Sequence, residues 1–120
     1  KDREKIMLDQ LLHYNPPSWL LNARGGIFAH TIPAFRVPLG RFPTPIQNFA
    51  IPGLEELGLS TFIKRDDLSS FDLSGNKVRK LEFLMAEAIH NNHDSVITIG
   101  GIQSNHCRAT AVAARQLGFQ

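Results

Sequence analysis

The segment Ser74-Gly75-Asn76-Lys77-Val78-Arg79-Lys80 puts three cationic side chains within seven residues. Downstream, Val78, Leu81, Leu84, Met85, Ala88 and Ile89 recur at intervals of three and four, the period of one helix face, so the cations fall on a helix's first turn. That end of a helix already carries positive partial charge, and acidic side chains are the ones favoured there. The cluster therefore points to an anion such as a phosphate, bound by free backbone amides and completed by a lysine. Lys77 and Lys80 are three apart and share a face, whereas Arg79 points elsewhere. A lysine beside like charges or sheltered from water has its ammonium form disfavoured and becomes a nucleophilic amine. The plainer alternative extends all three side chains into water at about 0.3–1 kcal/mol each, and taken alone the segment favours it.

A second constellation is Gly100-Gly101-Ile102-Gln103-Ser104-Asn105-His106, between an apolar run and a further helical pattern. Open α/β sheets bind ligands at the carboxyl ends of their strands. Two glycines let backbone approach a ligand there, and Ser104 with the amides after it could hold a carboxylate or phosphate. A capped helix after a tight turn explains the same residues, and spacing alone leaves both readings open. No lysine follows the glycines as in a P-loop, and three spaced glycines for a dinucleotide fingerprint are absent. Asp66 and Asp67 adjoin at a strand end, where neighbours face opposite ways and do not form a dyad. Arg108 and Arg115, seven apart, read as a solvated stripe. Cys107 reads as a small packed side chain, and His13, His30, His90 and His93 lack metal-ligand spacing and default to solvated or capping roles.

The elements that must position these groups follow from the same sequence. Asn76 to about Asn91 is a helix with Ser74 as its cap, and Ser95-Val96-Ile97-Thr98-Ile99 suits a buried parallel strand ending at Gly100-Gly101. From about Ser104 the positions Ala109, Val112, Ala113 and Leu117 are helical until Gly118. Upstream, Ser60 to Lys64 reads as a strand, and Leu54 to Leu57 as a helical turn between Gly53 and Gly58. All seven prolines lie between Pro16 and Pro52, which makes that region irregular. The seven-residue spacing of Phe28, Phe35, Phe42 and Phe49 is therefore no heptad. Arg3 to His13 is expected to be a short helix stopped by Asn15-Pro16-Pro17. Strand, helix, strand, helix gives the class α/β, with a sheet that looks cut off after two βα units.

Composition narrows the function. The 120 residues are 42% hydrophobic and 20% charged, which describes one globular domain. No run approaches the roughly 20 apolar residues of a membrane span. A net charge of +2 lacks the dense cationic face of nucleic-acid binding, so neither a membrane nor a nucleic-acid partner is expected. One cysteine permits no internal disulfide and fits a reducing compartment, the cytoplasm, with the mitochondrion as the alternative; the start at Lys1 leaves room for a missing true N-terminus.

The stretch Ser74-Gly75-Asn76-Lys77-Val78-Arg79-Lys80-Leu81-Glu82, followed by Gly100-Gly101-Ile102-Gln103-Ser104-Asn105-His106, resembles the D-cysteine desulfhydrase and 1-aminocyclopropane-1-carboxylate deaminase family. The resemblance runs from about Leu39 through Gly118 and includes Pro43-Thr44-Pro45-Ile46 and Ile63-Lys64-Arg65-Asp66-Asp67. It implies an α/β chain of the tryptophan-synthase-β-like fold (fold type II), with an open, mostly parallel sheet. Residues 1–38 would be an N-terminal extension and residues 39–120 an incomplete N-terminal portion of the catalytic domain. It implies pyridoxal 5′-phosphate as cofactor, a small amino-acid substrate and a homodimeric full-length form. Lys77 matches the lysine that forms the internal Schiff base and then moves the substrate's Cα proton. Lys80 matches a lysine near the cofactor phosphate, Asn105 the asparagine at the ring oxygen, and Ser104 a serine that holds the substrate carboxylate or assists proton transfer. Asn76 would shape the loop beside Lys77, and Asp66 and Asp67 would make structural hydrogen bonds near Arg65 or Arg79.

His106 leans the reading toward a thiol substrate, because the family's deaminases usually carry glutamine after the Ser-Asn pair and its desulfhydrases histidine. The expected reaction takes D-cysteine to pyruvate, hydrogen sulfide and ammonia; a 1-aminocyclopropane-1-carboxylate deaminase is the alternative. The family's glycine-rich phosphate loop and its ring-facing groups have no counterpart in these 120 residues, so this piece by itself is expected to be inactive. Two readings of other classes are a non-catalytic binding or regulatory subunit and a phosphate-ligand binder without lysine chemistry.

Overall fold

The structure is a computed structural model that describes residues 8–23, 29–73 and 75–120. Its elements are β1 (Leu12–His13), α1 (Ser18–Leu21), β2 (Phe35–Arg36), β3 (Ile46–Asn48), β4 (Phe62–Lys64), α2 (Lys77–His90) and α3 (Asn105–Leu117). Single 3-10 turns at Ala29–Thr31, Glu55–Leu57 and Asp66–Leu68 join them.

The two long helices follow the periodicity, except that Leu84, expected on the apolar face, is 42% exposed. Helix α2 buries Val78, Leu81, Met85, Ala86 and Ile89, and α3 buries Ala109, Ala113, Ala114 and Leu117. The alanines leave no long side chains between the axes, so the helices pack directly together, with Val37, Leu73 and Phe119 completing the core. Helix α3 ends where Gly118 adopts a left-handed conformation, φ 85°, that glycine takes without a Cβ penalty. The expected turn at residues 54–57 is the 3-10 segment, and the expected strand at 60–64 is β4. Ser74, the expected cap of α2, lies outside the described residues; Asn76 occupies the cap position without a side-chain capping bond.

The first correction concerns where the N-terminal helix ends. Residues 3–7 of the helix expected over Arg3 to His13 lie outside the described residues; Leu8 is helical, the Leu11 amide donates to the Leu8 carbonyl, and Leu12 and His13 form β1 instead of continuing the helix. Prolines 16 and 17 bias the preceding chain to extended backbone, and β1 pairs antiparallel with β2 in the register Leu12 to Arg36 and His13 to Phe35. The Phe35 ring takes His13 edge-on at 6.0 Å and His90 at 4.8 Å, so these two histidines pack on an aromatic rather than being merely solvated. The proline-rich region also carries β3, antiparallel to β4, with Arg65 reaching Gln47 at 2.7 Å across the pair.

The second correction concerns the sheet. Both ladders among the described residues are two-stranded and antiparallel, and residues 95–99 join neither. Val96 and Thr98 turn toward the helices, whereas Ile97 and Ile99 are 99% and 94% exposed. An apolar run with both faces apolar needs a layer on each side, and here the helices cover one. A single rung does form: the Gln120 amide donates to the Asp94 carbonyl at 3.0 Å, and the Val96 amide to the Gln120 carbonyl at 3.3 Å. That slanted exchange about one residue is the bonding pattern of a parallel pair. The exposed isoleucines accompany a radius of gyration of 17.7 Å, above the roughly 14 Å expected of a compact chain of this length. Among the described residues no helix is long and apolar enough to cross a membrane.

Candidate active site

Arg108 and Asp72 tie the approaches to the two long helices together at one edge. The Arg108 guanidinium donates to the Asp72 carbonyl at 2.5 Å, joining the amino-terminal ends of α2 and α3, and the Gln120 rung joins their carboxyl-terminal ends. The helices therefore run side by side in the same direction, with both positive dipole ends on the edge where residues 95–99 lead into Gly100. Arg108 is thus not the free surface charge of a solvated stripe. Its partner is a main-chain carbonyl, which no side-chain pattern reveals.

Lys77 is the first residue of α2 and is half-buried; Asn76 before it and Lys80 after it are exposed. The first turn of α2 holds no acidic residue, and among the described residues neither lysine ammonium has a hydrogen-bond or ion-pair partner. Arg79 differs. Its Nε and Nη2 bond both oxygens of Asp66, at 2.8 and 2.7 Å, Nη2 also reaches the Thr44 hydroxyl at 3.1 Å, and the guanidinium lies 4.4 Å from the Phe42 ring centroid. One of the three cations is therefore fully engaged, and Lys77 and Lys80 have no such partners among the described residues.

The carboxylate pair plays the structural part expected of it. Asp67 is bonded by Arg65 through Nε and Nη2 at 2.9 and 2.7 Å, and Asp66 by Arg79. Both sit on a 3-10 turn rather than a strand. The Arg79 hydrogen bonds hold the Asp66 carboxyl at about 2, below its ordinary range. The folded value is below the unfolded value of about 3.9, so its stabilising contribution is complete above that value and is lost as pH falls through about 2.

At the second helix start, Ser104 is the cap of α3, its Oγ accepting the Cys107 amide at 3.2 Å, and Asn105 is the first helical residue, exposed. The cap and the ligand-facing serine of the expectations are one residue, so the two readings of the sequence do not exclude each other. His106 is half-buried and borders a cavity of about 140 Å³ between the helices and residues 96–98, with its Nδ1 buried and unbonded, as is the hydroxyl of Thr110. Cys107 packs within 3.8 Å of the Thr98 hydroxyl. Among the described residues no cluster of His, Cys, Asp or Glu could hold a metal ion.

The two glycines have different reasons. A Cβ at Gly100 would stand 2.7 Å from the Ser104 Oγ and 2.8 Å from the Cys107 sulfur, whereas a Cβ at Gly101 meets nothing within 4 Å. Gly100→Ala is expected to destabilise the whole protein by about 1–3 kcal/mol, by overpacking and loss of the cap, and Gly101→Ala by less than about 0.5 kcal/mol. Urea midpoints of the two variants check this, and equal midpoints would contradict it. Sequence reasoning missed Thr44 and Glu82, which bind their partners across 22 and 43 residues of chain.

Residues 37–120 match the pattern of the family described as pyridoxal-phosphate dependent enzyme. The bifunctional D-cysteine desulfhydrase/1-aminocyclopropane-1-carboxylate deaminase, mitochondrial, of Arabidopsis thaliana is 54% identical over 88% of this chain and 25% of its own length. A Pyrococcus abyssi protein provisionally named as a 1-aminocyclopropane-1-carboxylate deaminase is 48% identical over 70% of this chain and 25% of its own. The D-cysteine desulfhydrase of Salmonella paratyphi B has the same identity and coverage. The chain thus spans about a quarter of the length of the curated relatives it matches. The family match over residues 37–120, well over half of the chain, places this chain in the pyridoxal-phosphate dependent enzyme family.

Proposed function

We infer that the whole protein is a carbon–sulfur lyase that eliminates thiol from D-cysteine, giving pyruvate, hydrogen sulfide and ammonia with one water consumed. The observation that supports this reading is that the Lys77 and Lys80 ammonium groups have no partner among the described residues, at the start of a helix whose approach Arg108 ties to the start of α3. The donor set fits the family's cofactor: an amine for the aldehyde, a second cation and helix-start amides for the phosphate, and no acidic residue in that turn to repel it.

Bound there, pyridoxal 5′-phosphate supplies an electron sink that stabilises negative charge at the substrate's Cα. Lys77 holds the aldehyde through Nζ, since a primary amine is the side-chain group able to do so, and then moves the Cα proton. Lys80 pairs with the phosphate, Asn105 contacts the ring oxygen, and Asn76 shapes the turn before Lys77. Ser104 keeps its hydroxyl hydrogen for the substrate carboxylate while its lone pair holds the Cys107 amide. Gly101, open where Gly100 is closed, is the backbone position a ligand approaches.

In the same reading the fold is completed as an open, mostly parallel sheet of fold type II, in which residues 95–99 gain a second layer. Residues 1–38 are an extension and 39–120 part of the catalytic domain, and the enzyme is a homodimer in a reducing compartment, cytosolic or mitochondrial. His106, beside the Ser104-Asn105 pair, supports the thiol substrate. A second reading, 1-aminocyclopropane-1-carboxylate opened to 2-oxobutanoate and ammonia, is favoured by the double name of the Arabidopsis relative. The test is an assay of the whole protein with D-cysteine, L-cysteine and the cyclopropane amino acid, with sulfide and both keto acids measured. Turnover of D-cysteine is expected, and consumption of the cyclopropane substrate alone would reverse the order of the two readings.

A further inference from the structure

Asp66 holds the chain on both sides of Lys77. Its carbonyl oxygen accepts the Gly75 amide at 3.0 Å, two residues before the lysine, and its carboxylate takes Arg79 in a two-point bond, two residues after it. Gly75 has φ 106°, a conformation open to glycine and rarely to other residues, so the turn into α2 needs an external tie to fix its direction. The carboxylate is itself held: the buried Thr44 donates its hydroxyl to Oδ1 at 2.8 Å, and Lys64 donates to the Thr44 carbonyl at 2.5 Å. Partly exposed ion pairs contribute little to stability, but a two-point guanidinium–carboxylate bond fixes direction as well as distance. Lys77, between the two ties, has none of its own among the described residues.

We propose that Asp66 is a positioning residue for Lys77: it clamps residues 75 and 79 so that the ε-amino group is presented to the coenzyme aldehyde, and it withdraws Arg79 from the phosphate, leaving that to Lys80. The proposal rests on Lys77 being the aldehyde-binding amine. In the test, the whole protein is stripped of coenzyme and exposed to pyridoxal 5′-phosphate. Borohydride is added at timed intervals, the peptides bearing Lys77 and Lys80 are weighed, and hydrogen exchange of residues 75–80 is followed in parallel.

Asp66→Asn is expected to slow labelling of Lys77 threefold or more and to leave Lys80 unchanged, with Asp66→Glu recovering part of the rate. Arg79→Ala should reproduce the defect, and the double variant should be no slower than the worse single one. Labelling of Lys77 within threefold of the unsubstituted rate overturns the proposal. If Asp66→Asn does not fold, Thr44→Val, which removes one bond to the carboxylate, is judged by the same threshold. If the unsubstituted protein takes no label at Lys77, the functional reading has failed instead, and exchange decides: faster exchange at 75–80 in Asp66→Asn supports the clamp, and unchanged exchange removes it.

Discussion

Lys77→Ala in the whole protein is expected to lower kcat for D-cysteine by at least about 10³-fold, while leaving the unfolding free energy of the coenzyme-free protein within about 0.5 kcal/mol of the unsubstituted one. Two roles are lost together, the covalent hold on the aldehyde and the transfer of the Cα proton, and proton transfer alone is worth about 10²–10⁴. Stability should survive because Lys77 makes no hydrogen bond or ion pair among the described residues. Lys77→Arg is expected to be as inactive, since a guanidinium stays protonated and cannot replace the amine. Lys80→Ala should instead weaken coenzyme binding by roughly ten- to a hundredfold, the worth of one charge-assisted hydrogen bond, with kcat at saturating coenzyme much less affected. The measurements are steady-state kinetics, coenzyme titration and borohydride mapping. Activity of Lys77→Ala within tenfold of the unsubstituted protein would remove the lysine chemistry and leave a phosphate-ligand binder as the better account.

What the sequence announced and what it hid divide along a physical line. Helices α2 and α3 were legible because periodicity and their end residues act within a few positions: Val78 through Ile89 mark one face, Ser104 opens α3 and Gly118 closes it. The cationic turn at Lys77 was legible for the same reason, since three charges against a helix dipole are a local conflict. Strand β1 and the segments between Pro16 and Pro52 were not. Strands of two or three residues such as β1, β2 and β3 carry too little pattern, and each is specified by a partner elsewhere, as Leu12 is by Arg36 and Gln47 by Ile63. Residues 95–99 show the opposite case: their composition marks a buried strand, but among the described residues they join no ladder, a single Gln120 rung is their pairing, and Ile97 and Ile99 stay exposed. Arg108 was misread because side-chain spacing says nothing about a carbonyl across 36 residues.

Glu82 is where the second large effect is expected. It lies on α2, one turn and a half beyond Lys77, and is 3% exposed. Its Oε1 accepts the amides of Leu39 and Gly40 at 3.0 and 3.1 Å, its own carbonyl accepts the Val37 amide at 3.0 Å, and Arg36 stands 3.6 Å from Oε2. A side chain that reads as one more surface carboxylate of an amphipathic helix is therefore the fastening of residues 36–40. Glu82→Ala removes the shared acceptor of two part-buried amides, and each unsatisfied donor costs about 1–3 kcal/mol, so the whole protein should lose about 2–6 kcal/mol. Glu82→Gln keeps an amide oxygen in place and should lose less than half of that. The damage should also travel toward the site. Gly40 packs so closely that a Cβ there would lie 2.9 Å from Val78, and Phe42, two residues on, supplies the ring under Arg79. Releasing this segment loosens the support on which Thr44, Asp66 and Arg79 hold the Lys77 turn, so hydrogen exchange should quicken at residues 37–44 first and at 75–80 next. Urea denaturation of both variants with peptide-resolved exchange checks the order, and a Glu82→Ala protein as stable as Glu82→Gln would show that water, not this carboxylate, satisfies the two amides.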